Sequence, residues 1–175
     1  MRPILAMAAA LSLSACETTP RVTTDFDPSA NFSRYKTFDW VSQSAPQGTN
    51  PLIFERVKKS VERNLAEKSF TQSSAPDFAV AITIGARDRI EPTYWGPYYY
   101  PGYGRAFRYG WAYPYSSGDL RTVTDGTVTI DIFDVQTRKP VWHGRATKEI
   151  TGTDINQTLI DQAVDAALES FPPSP

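Results

Sequence analysis

The sequence predicts an α+β fold: a single domain with a mostly antiparallel sheet, two helices packed on one face, and a long aromatic Gly/Pro/Tyr-rich loop. Three observations predict it. Five stretches alternate apolar and polar residues with the period of two that a strand requires. Two stretches repeat apolar residues at three- and four-residue steps, the spacing of a helix face. In the second half, successive strand candidates are joined without helices, which favours antiparallel neighbours.

The first strand candidate is Val22 to Asp27, rich in strand formers. Pro28 to Ser33 reads as a turn. The second strand, Tyr35 to Val41, sets Tyr35, Thr37, Asp39 and Val41 on one side and Lys36, Phe38 and Trp40 on the other. A polar loop follows. Asn50-Pro51 then opens a helix over roughly 51–68, because Asn caps well and Pro at the first helical position forfeits no hydrogen bond. Phe54, Val57, Val61 and Leu65 form its stripe.

Asp77 to Glu91 is the longest strand candidate, with bulky Phe78, Val80, Ile82 and Ile84 opposing Ala79, Ala81, Thr83 and Gly85. Partial cover of both faces is expected. From Arg87 the pattern turns polar, where the strand should leave the core. Thr122 to Asp134 and Val141 to Ile150 make a hairpin across a polar turn. A last helix is expected over 155–170, capped by Thr153 or Asp154 and stopped by Pro172-Pro173.

The chain has 175 residues, 18 Lys+Arg and 19 Asp+Glu, for a net charge of −1. It is 41% hydrophobic and 21% charged, ordinary for a globular domain. That balance disfavours wholesale disorder and a basic nucleic-acid binder. One Cys permits no intrachain disulfide. No apolar run beyond the N-terminal segment is long enough to span a bilayer.

Residues 1–15 have the layout of a secretory signal: Arg2 near the start, a short apolar core from Ile4 to Leu13, then small residues. Leu13-Ser14-Ala15-Cys16 resembles a bacterial lipobox. The resemblance implies a diacylglyceryl group on the Cys16 sulfur, cleavage before Cys16 and acylation of the new amino terminus. Residues 16–21 then form a lipidated tether to a domain spanning 22–173. Several acyl chains exceed the two signals that stable anchoring needs. Glu17 stands where Asp would mark inner-membrane retention, so the periplasmic face of the outer membrane is the expected location.

Several segments together resemble the domain of unknown function 4136 family of bacterial envelope lipoproteins. They are Phe32 to Trp40, Asn50-Pro51-Leu52, Pro76 to Val80, Gly126 to Asp134, Val141 to Gly144 and Phe171-Pro172. The resemblance implies an envelope lipoprotein with this α+β domain, and it carries over no catalytic residue. Arg138 departs from it, since Gly is more usual in that turn. The turn must avoid positive φ there or accept about 1 kcal/mol of strain.

Residues 92–115 are the unusual feature: eleven of the 24 are aromatic, half of the chain's 22. Gly and Pro break any regular structure there, so 92–117 reads as an inserted loop. Its candidate contact residues are Tyr94, Trp95, Tyr98, Tyr99, Tyr100, Tyr103, Arg105, Phe107, Arg108, Tyr109, Trp111, Tyr113 and Tyr115. Four readings compete. The rings cluster among themselves, meet a protein partner through hot-spot residue types, rest in lipid headgroups, or stack on a glycan such as peptidoglycan. Arg87, Arg89, Arg105, Arg108 and Arg121 could surround the segment as a basic patch or as an ordinary solvated face.

Signals for chemistry are weak. His143 is the sole His, and a lone His does not build a zinc site. Asp25 with Asp27, or Asp131 with Asp134, are carboxylate pairs of a kind that acid–base work uses. No Gly-rich phosphate loop is present. No catalytic residue, metal or cofactor is therefore expected. The leading expectation is a non-enzymatic outer-membrane lipoprotein acting as a scaffold or interaction module. Its partners would be the membrane, through N-terminal acyl chains, and an envelope protein or peptidoglycan, with no nucleic acid. Glycan binding is the alternative, and an envelope hydrolase the second alternative.

Overall fold

The computed structural model describes residues 19–93, 119–150 and 155–173. Its elements are β1 (Arg21–Phe26), a 3₁₀ turn (Phe32–Arg34), β2 (Thr37–Trp40), α1 (Pro51–Glu67), β3 (Thr71–Gln72), β4 (Phe78–Thr93), β5 (Asp119–Asp134), β6 (Pro140–Ile150) and α2 (Gln157–Leu168). One six-stranded sheet has the order β1-β6-β5-β4-β2-β3. Pairing is antiparallel from β1 to β4 and parallel from β4 through β2 to β3. A parallel neighbour needs a crossover, and α1 supplies it between β2 and β4.

The helices start as local chemistry dictates. The Asn50 side chain accepts from Leu52 N–H at 2.9 Å, with Pro51 at the first position. Asn156 Oδ1 accepts from Leu159 N–H at 2.9 Å, so Asn156 caps α2 rather than Thr153 or Asp154. The α1 stripe Phe54, Val57, Val61 and Leu65 is buried. It packs with Ile160, Val164 and Leu168 of α2 against Phe78, Val80 and Ile82 of β4 and Ile130 and Ile132 of β5. Between the helices, Arg63 reaches Asp165 at 2.9 Å, Asn64 Nδ2 donates to Asp165 at 3.0 Å, and Ser60 meets Asp161.

At the base of the sheet an aromatic group closes the core. Phe171, fully buried, contacts the rings of Phe32, Phe70, Phe78 and Trp142 at centroid distances of 6.2, 5.5, 5.7 and 5.2 Å. Phe38 and Trp40 face the core as their alternation required, and Tyr35 reaches it from the 3₁₀ turn rather than from β2.

Two further differences from the pattern are physical, and one alternative the pattern left open, at Arg138, is decided. The small face of β4 is not covered: Thr83 and Gly85 are exposed, because both helices take the other side. Pro92 and Thr93 belong to β4, paired with Leu120 and Asp119, so the insertion begins later than 92. Arg138 accepts the left-handed conformation, φ 58°, as its N–H closes the β5–β6 turn on Asp134 C=O at 2.8 Å.

Candidate functional site

β4 and β5 each have 16 residues and pair throughout, from Phe78↔Asp134 to Thr93↔Asp119. At about 3.3 Å per residue each strand spans about 53 Å. The core holds only the first half. Ala86, Arg87, Asp88 and Ile90 are exposed, and Ile90 retains 67% of its surface. Beyond residue 85 the hairpin is therefore an arm, flanked by β6 as far as Ile150↔Thr124. The polar pattern after Arg87 marks where helix cover ends.

Charge pairing ties the arm together. Arg89 lies 2.9 Å from Asp125 through Nε and 3.4 Å from Glu149, and it also meets Glu91. Partial burial opposes the Arg89 charge, but Asp125 and Glu91 outweigh it and hold the guanidinium above its ordinary value. Arg121 meets Glu149. Thr124 Oγ1 donates to Asp88 at 2.6 Å. Val123, opposite Arg89, is only 3% exposed.

The sheet face away from the helices is polar. Pairing aligns Asp25, His143, Asp131 and Ala81 in one row, then Thr23, Arg145, Thr129 and Thr83, then Arg21, Thr147, Thr127 and Gly85. His143 Nδ1 lies 2.7 Å from Asp131 Oδ1. A depression of about 350 Å³ on this face is lined by Arg21, Arg87, Arg145, Asp125 and three threonines. Arg87 thus joins residues that the linear sequence kept apart. Arg21 and Arg145 were not singled out, because only strand pairing brings their segments beside it. Arg105 and Arg108 lie outside the described residues.

The carboxylate pairs do not converge. Asp131 is on the uncovered face with His143, whereas Asp134 is 2% exposed and faces Tyr35 in the core. Burial alone would push Asp134 up. Hydrogen bonds from the Thr137 N–H, the Tyr35 hydroxyl and Arg34 outweigh it and hold the carboxyl at about 2. Asp134 is thereby a structural acceptor. Asp25 accepts from the Phe26 N–H at 2.9 Å within β1, and Asp27 accepts from the Ser29 N–H at 2.8 Å in the turn that follows. Among the described residues no three His, Cys, Asp or Glu stand together as a metal site would require.

A second cavity, about 230 Å³ and mostly apolar, lies on the helix side where the arm leaves the core. Ile53, Val57, Ile84, Val128, Ile150 and Leu159 line it. Gly126 lets Ile150 in: a Cβ there would stand 2.7 Å from Ile150 Cδ1.

The lipidation candidate Cys16 lies outside the described residues, as do the aromatic candidates Tyr94, Trp95, Tyr98, Tyr99, Tyr100, Tyr103, Phe107, Tyr109, Trp111, Tyr113 and Tyr115. The structure does describe their attachment points. The arm carries residues 94–118 between Thr93 and Asp119. β1 runs antiparallel to β6, so Arg21 sits at the arm end of the sheet, beside Thr147, and Phe26 at the base.

The model of the family described as Domain of unknown function (DUF4136) matches residues 22–173, and the chain belongs to that family. No curated protein matches it. Among solved structures, it is similar to a DUF4136 family protein from Bacteroides thetaiotaomicron VPI-5482 (18% identity, TM-score 0.54), covering 89% of this chain and 97% of that one. It is also similar to a PDZ domain protein from Parabacteroides distasonis ATCC 8503 (15%, TM-score 0.57), covering 90% of this chain. This chain spans 37% of that protein's length. A third similar structure is a PelC dodecamer from Paraburkholderia phytofirmans (12%, TM-score 0.51), covering 86% of this chain and 96% of that one. At these identities the likeness is one of fold.

Proposed function

We propose that this DUF4136 domain is a non-enzymatic interaction module of the bacterial envelope, anchored through acyl chains on Cys16 to the periplasmic face of the outer membrane. The aromatic residues between positions 94 and 115 are its contact element. The observation that carries the reading is the arm. A hairpin paired to its last residues, Thr93↔Asp119, holds the aromatic segment's two ends beyond the helix-covered core. Strand residues past the core are hard to explain as core stabilisation, since Ala86, Arg87, Asp88, Ile90, Arg121 and Thr122 are exposed. It is well suited to presenting Tyr, Trp and Arg to a partner. A hydrolytic reading finds little support, because Asp134 is already saturated by Tyr35, Arg34 and Thr137, on the opposite side of β5 from Asp131.

The test is photo-crosslinking in intact cells from a reactive residue at position 98. The control is a chain lacking residues 94–118. An envelope protein captured only with the segment present supports the reading. The captured protein is a second copy if the domain self-associates, as PelC does in its dodecamer. Capture of no protein, together with segment-dependent binding to purified peptidoglycan sacculi, overturns it in favour of glycan binding.

A further inference from the structure

We propose that the depression on the uncovered sheet face is a phosphate-binding site, with Arg87 and Arg145 as its ligating guanidinia. Five arginines surround this region: Arg21, Arg87, Arg89, Arg121 and Arg145. Three of them use the local acids. Arg21 reaches Asp125 at 3.3 Å and Arg89 reaches the same carboxylate at 2.9 Å, while Arg121 takes Glu149. Arg87 and Arg145 have no carboxylate within 4.0 Å among the described residues. Two cationic side chains on one concave face are therefore not ion-paired, and the Asp125 carboxylate in the same lining is already shared by Arg21 and Arg89.

Their placement suits a tetrahedral oxyanion. Arg145 is on β6 opposite Thr129, and Arg87 is on β4 opposite Asp125. Thr127 lies on the strand between, one row from each, so it occupies the midpoint of the Arg145–Arg87 diagonal. With strands about 4.8 Å apart and about 3.4 Å per residue, two strands across and four residues along set the two backbones about 17 Å apart, about 8 Å from each to the midpoint. Two extended arginines can close that span onto one group. Guanidinium forks match phosphate oxygens in pairs, which a lone ammonium cannot do. The floor supplies hydroxyls, Thr127 Oγ1 and Thr147 Oγ1, 3.2 Å apart. Gly85 completes the row beside Thr127 and adds no side chain to this face.

The source of the phosphate follows from the chain's exit. Arg21 lines the depression and begins β1. On the anchor reading proposed above, Cys16 is five residues away, at most about 17 Å of extended chain. The depression then stands within reach of the leaflet that holds the acyl chains, where anionic phospholipid headgroups supply the group. A soluble phosphate compound has the same chemistry.

Arginine modification by phenylglyoxal, read residue by residue by mass spectrometry on the full lipidated protein, tests this. The baseline is a phosphate-free neutral detergent, and exposed Arg138, in the turn at the far end of the sheet, is the internal control. Labelling of Arg87 and Arg145 should slow by about tenfold relative to Arg138 when the site fills. Slowing by inorganic phosphate in detergent, and again in phosphatidylglycerol vesicles, supports the site. Slowing only in vesicles assigns it to lipid, and slowing only with inorganic phosphate assigns it to a soluble compound. Thr127→Leu fills the floor without removing charge and should abolish the slowing in every arm. No slowing in either condition, or vesicle protection that persists in Thr127→Leu, overturns the proposal. The inorganic phosphate arm needs no anchor, so loss of the lipid reading leaves it intact.

Discussion

Asp134 accepts a hydrogen bond from the Tyr35 hydroxyl at 2.8 Å and two more from Thr137, at 2.7 Å from the N–H and 3.1 Å from Oγ1. Arg34 completes the set. The contact fastens the 3₁₀ turn to the base of β5. Its carboxyl falls from 3.8 to about 2 on folding. A depressed carboxyl stabilises fully above its unfolded value and loses that contribution as pH falls through the folded one. The loss should therefore run from about pH 4 down to about pH 2 and amount to about 2 kcal/mol. Asp134→Asn should be less stable at neutral pH and lack this acid-dependent loss. Urea unfolding of both proteins at pH 5 and pH 2.5 measures it, and an equal loss in both would contradict the assignment.

Burial chiefly, with the Asp134 charge, pushes Tyr35 up to about 12. A neutral phenol held above its unfolded value stabilises below about pH 10, and the contribution is lost as pH rises through about 12. Tyr35→Phe should flatten the alkaline side of the stability profile, as thermal melts between those values will read.

Gly144 admits the Trp142 indole. A Cβ there would stand 2.1 Å from Trp142 Cη2 and 2.6 Å from the Ala167 carbonyl oxygen. Gly144→Ala should cost about 3 kcal/mol, because both neighbours are in the core and neither can yield without moving α2 or β6. Unchanged denaturant unfolding would show that the two elements are more loosely joined than their contacts suggest.

Two turns hold side chains in the left-handed region, Ser69 at φ 68° after α1 and Arg138 at φ 58° between β5 and β6. At Ser69 the helix ends with the Phe70 N–H on Leu65 C=O and the Ser69 N–H on Ala66 C=O, both 2.9 Å, an arrangement that favours glycine. Ser69→Gly and Arg138→Gly should each stabilise by about 1 kcal/mol, measured as a raised urea midpoint.

Arg89 bridges Asp125, Glu149 and Glu91 across the arm. Arg89→Ala should leave the helix-covered core intact and raise amide exchange in 86–91 and 121–126 by about tenfold. Exchange that rises equally in α1 would show that arm and core unfold as one unit.

Cys16→Ala should leave an unprocessed precursor that takes up no radiolabelled palmitate. A processed, labelled product from that variant would refute the lipid anchor.

Much of the architecture was legible because periodicity is local. The α1 stripe, its Asn50 cap, the alternation in β5 and β6 and the polar turn of β4 at Arg87 were all readable from neighbours in the chain. Asn156 was missed in favour of Thr153 or Asp154, since all three are competent caps and only the helix start decides between them. β3 has two residues and no readable period. It forms because Thr71 N–H reaches Lys36 C=O at 3.1 Å once α1 has returned the chain beside β2.

By itself the sequence determined where the longer strands and both helices run and which residues within a strand share a side, because those properties depend on spacings of two to four residues. Only the tertiary structure decided which side the helices cover and which strands are neighbours. That choice rests on where the apolar stripes of α1 and α2 fit, and on pairing between segments far apart in the chain. It left Ala81, Thr83 and Gly85 uncovered and brought Arg21, Arg87 and Arg145 from three distant segments to one depression.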